Sequence, residues 1–240
     1  ILEAINHASA AADDERVERF IEQNYMEMVS RGEQNWMRFW KDKLSRELVY
    51  RRPWLCIYEA HSHAWFGELD EAERLLEAAE KHVESGISPP DGRMQGHLAY
   101  VKSRVTAMRG DIGRAIDLCL AAREAIPADN LSLQFNTRVT LGYEYFLAGD
   151  YRRASHVLGD AIEMGIAEGA IIYTVAASCF MARLHANQGL LHAAHDTYQG
   201  AAQVIPEGGS EHRDARALID VGLADLLCEW NDLDAALVHV

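Results

Sequence analysis

Histidine has the widest chemical reach of the residue types in this sequence, because an imidazole can ligate a metal or exchange a proton near neutral pH. His192 and His195 stand one helical turn apart, with His185 a little upstream. A zinc site needs a third and usually a fourth ligand converging on one point. No further ligand stands near in a metal-binding pattern, and the two are expected on the solvent side of a helix. His61 and His63 fall on opposite faces of one helix, one packed and one turned to a groove. Cys56, Cys119, Cys179 and Cys228 are spaced too widely for a zinc ribbon or a disulfide framework. Each lies in a helical stretch, where buried free thiols are expected. Trp36, Trp40, Trp54 and Trp65 gather in the first third of the chain, as core fillers or as a stacking surface. The motifs Gly-x-Ser-x-Gly, His-Glu-x-x-His and Cys-x-x-Cys are absent. The sequence therefore predicts no catalytic residues, no metal and no enzymatic activity.

Composition narrows the partners. Across 240 residues, 37 acids outnumber 23 Lys and Arg, giving a net charge of -14. Such a surface repels phosphate backbones and argues against direct nucleic-acid binding. Charges interrupt every apolar stretch before it reaches the roughly 20 residues of a membrane span, and no secretory segment opens the chain. A cytoplasmic protein with no membrane association is expected, and the ends at Ile1 and Val240 read as those of a fragment.

The elements that must position these side chains are helices. Ala72, Leu75, Leu76, Ala79 and Val83 recur at i, i+3, i+4 and i+7 with Glu and Arg opposite, and no stretch alternates long enough for a strand. From Leu141 to Ala161, the spacing Leu141, Gly142, Tyr145, Gly149, Asp150, Tyr151, Ala154, Leu158 and Ala161 resembles the tetratricopeptide (TPR) pattern. The same corner recurs near residues 67, 110, 149, 189 and 231, at intervals of roughly forty residues, longer than the ~34 of a standard unit. The extra length is placed in the turns from Ser85 to Gly96 and from Pro206 to Ser210. The fold predicted is all-α, a TPR-like right-handed solenoid of about twelve helices in antiparallel pairs. Residues 1–50 form N-terminal helices leading into it, and residues 51–240 form the repeats. Ala12 to Val17 looks like a degenerate corner, followed by an extra helix rich in Trp36, Phe39 and Trp40.

In TPR-type pairs the concave groove is lined by fixed first-helix positions counted back from the corner. Here they include Trp54, His61 and Trp65 in one unit, His97, Tyr100 and Arg104 in the next, then Asn136 and Tyr143, then Arg183, and Asp225 in the last. The central position reads His61, Arg104, Tyr143, Arg183 and Asp225, a polar row suited to an anionic or polyhydroxyl ligand or to an acidic peptide end.

Arg52-Pro53-Trp54-Leu55, Gly67-Glu68-Leu69-Asp70-Glu71-Ala72-Glu73, Leu75-Leu76 and Ala79-Glu80 carry a more specific likeness, with Asp13, Glu15-Arg16, Ile21-Glu22, Gly32-Glu33 and Trp36 upstream. With these residues the chain resembles the helical-repeat sensor region of the large ATP-binding LuxR-type transcription regulators, the kind that includes the maltose-regulon activator. The likeness is most specific over residues 12 to 80, and Leu44-Ser45 departs from the family's usual Leu-Pro. It implies a sensing domain that receives a small-molecule inducer or a regulatory protein in its groove, with possible self-association. It also implies that ATP belongs to an upstream module and DNA to a C-terminal one, both absent here. No cofactor is expected in these residues. The alternative is a free-standing TPR-type scaffold that holds a peptide or protein partner.

Overall fold

The computed structural model describes residues 7–8, 11, 13–30, 44–85, 92–206 and 213–239. They form twelve α-helices: α1 (Asp14–Ser30), α2 (Arg46–Arg51), α3 (Pro53–Trp65), α4 (Leu69–Glu84), α5 (Gly92–Met108), α6 (Ile112–Ala125), α7 (Leu131–Leu147), α8 (Tyr151–Ala167), α9 (Ile171–Asn187), α10 (Leu191–Gln203), α11 (Arg213–Glu229) and α12 (Leu233–Ala236). No strand occurs among the described residues. The helix proposed around Trp36, Phe39 and Trp40 lies outside them, as do the centres of the two long turns. The first of these turns ends sooner than expected, because α5 already begins at Gly92.

Every expected corner is a helix end with a left-handed residue, at Gly67, Gly110, Gly149, Gly189 and Asn231. At Gly149, φ is 77°, a region that a side chain enters only at a cost. Its N–H donates to Phe146 O at 3.0 Å, and Asp150 N–H donates to Tyr145 O at 2.9 Å. These bonds close the last turn on otherwise orphaned carbonyls, and the pairing repeats at all five corners. The next helix is then capped: the Asp111, Asp150 and Asp232 carboxylates accept from Arg114, Arg153 and Ala235 N–H respectively. A sixth left-handed corner, Gly169, joins α8 to α9, and sequence spacing did not single it out.

The chain forms two compact units, Ile1–Thr137 and Arg138–Val240, dividing inside α7. In unit 1, α3 packs with α4 and α5 with α6, α3 also touches α5, and α1 packs on α3. Every residue of α3 from Pro53 to Ala64 is buried. Ala72, Leu75, Leu76 and Ala79 of α4 are buried as their periodicity predicts. Arg109 at the end of α5 reaches across to Asp70 and Glu73 of α4, and Lys102 of α5 pairs with Glu80. In unit 2, α9 packs against α8, α10 and α11, and α11 against α12. The core there gathers Val175, Ala182, Ala194, Tyr198, Ala215, Ile219 and Leu226. Gly142 of α7 lies so close to α8 that a Cβ would stand 2.7 Å from Leu158 Cγ.

Candidate functional site

In unit 1 the expected row is a ladder of facing pairs. Trp54, His61 and Trp65 share one face of α3, and His97, Tyr100 and Arg104 share one face of α5. Trp54 meets His97 edge-on at 5.3 Å, His61 meets Tyr100 at 5.6 Å, and the Arg104 guanidinium lies 5.7 Å from the Trp65 ring centroid. Helix α1 closes over the middle of the ladder. Tyr25 stacks on Tyr58 at 4.3 Å, and its hydroxyl donates to Tyr58 O at 3.1 Å. The Tyr25 hydroxyl oxygen also lies 3.1 Å from His61 Nδ1. A carbonyl can only accept, so the hydroxyl proton is committed to it and His61 Nδ1 must be the donor in the second contact. His61 Nε2 is therefore left as a bare acceptor.

Burial drives the His61 pKa well below its ordinary value of 6.5, and the charges of Arg104 and His97 push the same way. Its imidazole is neutral. The same burial raises the Tyr25 phenol, with Glu59 adding to the effect. His61 Nε2 and Arg104 Nε are buried and have no hydrogen-bond partner among the described residues.

The open groove expected for these positions is not what unit 1 shows. Trp54, His61, His97 and Tyr100 are buried, because α1 and the ring pairs across α3 and α5 cover them. Imidazole and phenol rings are flat and largely apolar, so they pack into a core even with His61 Nε2 left without a partner there. Only Trp65, 41% exposed, and half-buried Arg104 reach the surface. His63 does not turn to a groove either: its Nδ1 is 2.5 Å from Glu68 Oε2 and its Nε2 3.8 Å from Glu59 Oε2.

In unit 2 the row is open. Tyr143 of α7 and Arg183 of α9 line one shallow, solvent-open depression, together with Gly142, Phe146, Leu158, Phe180 and Leu184. Tyr143 lies 5.5 Å from Phe180 and 6.1 Å from Phe146. Arg183 is exposed and makes no ion pair among the described residues, and Asp225 is exposed on α11. Asn136, earlier on α7, donates its amide to Ser132 O at 2.8 Å and is occupied within its own helix. Tyr143 and Arg183 are thus brought together, as are His61 with Tyr100 and Trp65 with Arg104 in unit 1.

The other candidates resolve differently. His192 is exposed and His195 half-buried, on the solvent side of α10 as expected, and both rings also contact Trp230, at 5.1 and 5.5 Å. Among the described residues no three His, Cys, Asp or Glu side chains are placed to hold a metal. Cys56 and Cys119 are buried as expected, whereas Cys179 is half-buried and Cys228 exposed. Burial pushes the Cys56 and Cys179 thiols up to about 12. Sequence spacing missed Tyr25 and Phe180. No corner register ties Tyr25 to the row, while Phe180 stands one helical turn before the row residue Arg183 and could have been found there.

A family model for the MalT-like TPR region matches residues 96–240, downstream of the residues on which the sequence likeness is most specific. The HTH-type transcriptional regulator MalT of Yersinia pestis (strain Pestoides F) is 22% identical over 234 residues, covering 98% of this chain and 26% of the regulator. The chain thus spans about a quarter of the length of the curated relatives it matches. Among solved structures, BtubC (BKLC) from P. vanneervenii has a TM-score of 0.61 at 13% identity, over 99% of this chain and 88% of that one. A signal transduction ATPase with numerous domains and a tetratricopeptide repeat sensor, from Pyrococcus horikoshii, has a TM-score of 0.57 at 18% identity, over 73% of this chain and 28% of that one. These likenesses establish a TPR-like fold of paired helices. No described helix is long and apolar enough to cross a membrane.

Proposed function

The chain belongs to the MalT-like TPR region family, and on that premise we propose that it is the non-catalytic sensing part of an ATP-dependent transcription regulator. It receives an inducer or a regulatory protein on the open part of the row in unit 2. ATP binding and DNA binding then belong to other segments of the regulator. One observation carries the reading: Tyr143 and Arg183, placed by register alone on two different helices, line the same open depression. Its aromatic wall of Tyr143, Phe146 and Phe180 offers stacking, and the guanidinium offers a fork of donors to an anionic or polar group. Arginine without an acidic partner is a poor contribution to stability in an acidic protein, and a good one to recognition.

A thermal-shift screen of small metabolites and peptides against the 240-residue chain tests the proposal. A ligand present at about 100 times its Kd stabilises by about 2.7 kcal/mol. That shift should disappear in the double variant Tyr143→Ala, Arg183→Ala while its unliganded melting temperature stays put. A ligand whose affinity survives both substitutions would remove the depression from the sensing role.

A further inference from the structure

We propose that the open row of unit 2 reads an extended segment of a partner protein that presents an apolar side chain, a carboxylate and a cationic side chain in that order. Tyr143 of α7, Arg183 of α9 and Asp225 of α11 stand at one register, six residues before Gly149, Gly189 and Asn231 respectively. The shared register sets them in a line across three helices, and all three are exposed. Helix α9 links the line: it packs on α11, and its Phe180 ring lies 5.5 Å from Tyr143. Burial raises the Tyr198 phenol to about 12, with Cys179 adding, Arg183 opposing and Asp225 adding to the effect. Both row charges therefore reach the same ring. Neither Arg183 nor Asp225 makes an ion pair among the described residues.

The strip is aromatic at α7, positive at α9 and negative at α11. A small-molecule site encloses most of its ligand, and the depression beside Tyr143, Phe146 and Phe180 is too shallow and open for that. An extended chain instead gains a little at each of several contacts along a line. Packed helices lie about 8–10 Å apart and an extended chain advances about 3.3 Å per residue, so anchors for neighbouring helices of the row fall about three residues apart. The segment that fits reads apolar-x-x-acid-x-x-base. In a protein of net charge -14, an exposed arginine with no acidic partner selects the central carboxylate. Asp225 then repels a segment whose two charges are exchanged, so the pair sets order as well as attraction. The inference rests on the sensing role proposed above and narrows its partner to a protein segment of this charge order.

The probes are two fluorescein-labelled, end-capped peptides carrying Phe, Glu and Lys at three-residue intervals in a serine background, one in that order and one reversed end to end. Each has a counterpart with Glu and Lys exchanged. Anisotropy titrations use the 240-residue chain at about 20 mM and about 500 mM salt, where the screening length differs several-fold. At low salt, saturable binding of at least one Phe-Glu-Lys peptide is expected, about tenfold tighter than its exchanged counterpart, with the ratio shrinking to about twofold or less at high salt. The double variant Arg183→Glu, Asp225→Lys changes only exposed positions and should prefer the exchanged peptide. Tyr143→Ser should weaken the favoured peptide at least about fivefold while leaving the charge preference in place. No saturable binding of either Phe-Glu-Lys peptide, equal binding of the exchanged ones, or a preference that the double variant does not invert would each overturn the inference. The sensing role is judged separately, by whether a ligand from the thermal-shift screen survives Tyr143→Ala with Arg183→Ala.

Discussion

At the same distance from its corner glycine, His61 in unit 1 is 1% exposed and Tyr143 in unit 2 is 37% exposed. Both follow from the same repeat register, so register alone does not decide what a row residue does. In unit 1 the rings of α3 and α5 pair with one another and Tyr25 of α1 closes over them. In unit 2 the rings of α7 and α9 meet on one side only, and solvent reaches Tyr143 and Arg183. A repeat fixes direction, and the neighbouring element fixes accessibility.

The largest expected effect comes from uncovering unit 1. Tyr25→Ala should cost about 3 to 5 kcal/mol in urea-melt stability, the range for truncating a large buried aromatic. Tyr25→Phe, which keeps the stack and breaks only the hydroxyl bonds, should cost about 1 to 2 kcal/mol. Equal losses from the two variants would show that α1 does not pack the row.

Unit 2 supplies a sharper contrast between adjacent residues. Gly142→Ala should cost about 1 to 3 kcal/mol, because its Cβ meets Leu158. Tyr143→Ala next to it should move stability by no more than about 0.5 kcal/mol, as befits an exposed position. A reversal of that order would place Tyr143 inside a packed interface.

The pH dependence tests the buried imidazole. His61 has its native pKa lowered, so the unfolded chain binds a proton that the native state refuses. Its contribution is complete above 6.5, and stability declines as pH falls from 6.5 toward the lowered native value. The slope for one proton reaches about 1.4 kcal/mol per pH unit. Urea melts at pH 7.5 and 5.5 should therefore differ more for the wild type than for His61→Gln. The smallest effect belongs to Arg183→Ala, whose unliganded stability should match the wild type within about 0.5 kcal/mol.

The corners were legible because each demands a particular backbone conformation. A left-handed residue followed by a capping side chain leaves a local signature at Gly110-Asp111, Gly149-Asp150 and Asn231-Asp232. The facing of Tyr143 and Arg183 was legible for the same reason, since it depends only on counting back along regular helices. The burial of His61, His97 and Trp54 was not. It depends on Tyr25, more than thirty residues away in sequence, in a helix that shares no repeat register with α3. Polar atoms in the row suggested solvent, whereas packing by neighbouring rings buries them, His61 Nε2 without a hydrogen-bond partner.

The four thiols, finally, make the chain its own labelling reagent. Cys56 and Cys119 are buried, Cys179 is half-buried with its thiol held up to about 12, and Cys228 is exposed. Thiolate is the species that maleimides attack. Cys228 also stands one helical turn after the row residue Asp225 on α11. A single fluorophore added to the unmodified sequence should therefore settle at Cys228 on unit 2 and give an optical readout of whatever docks there, without any cysteine having to be engineered in or out.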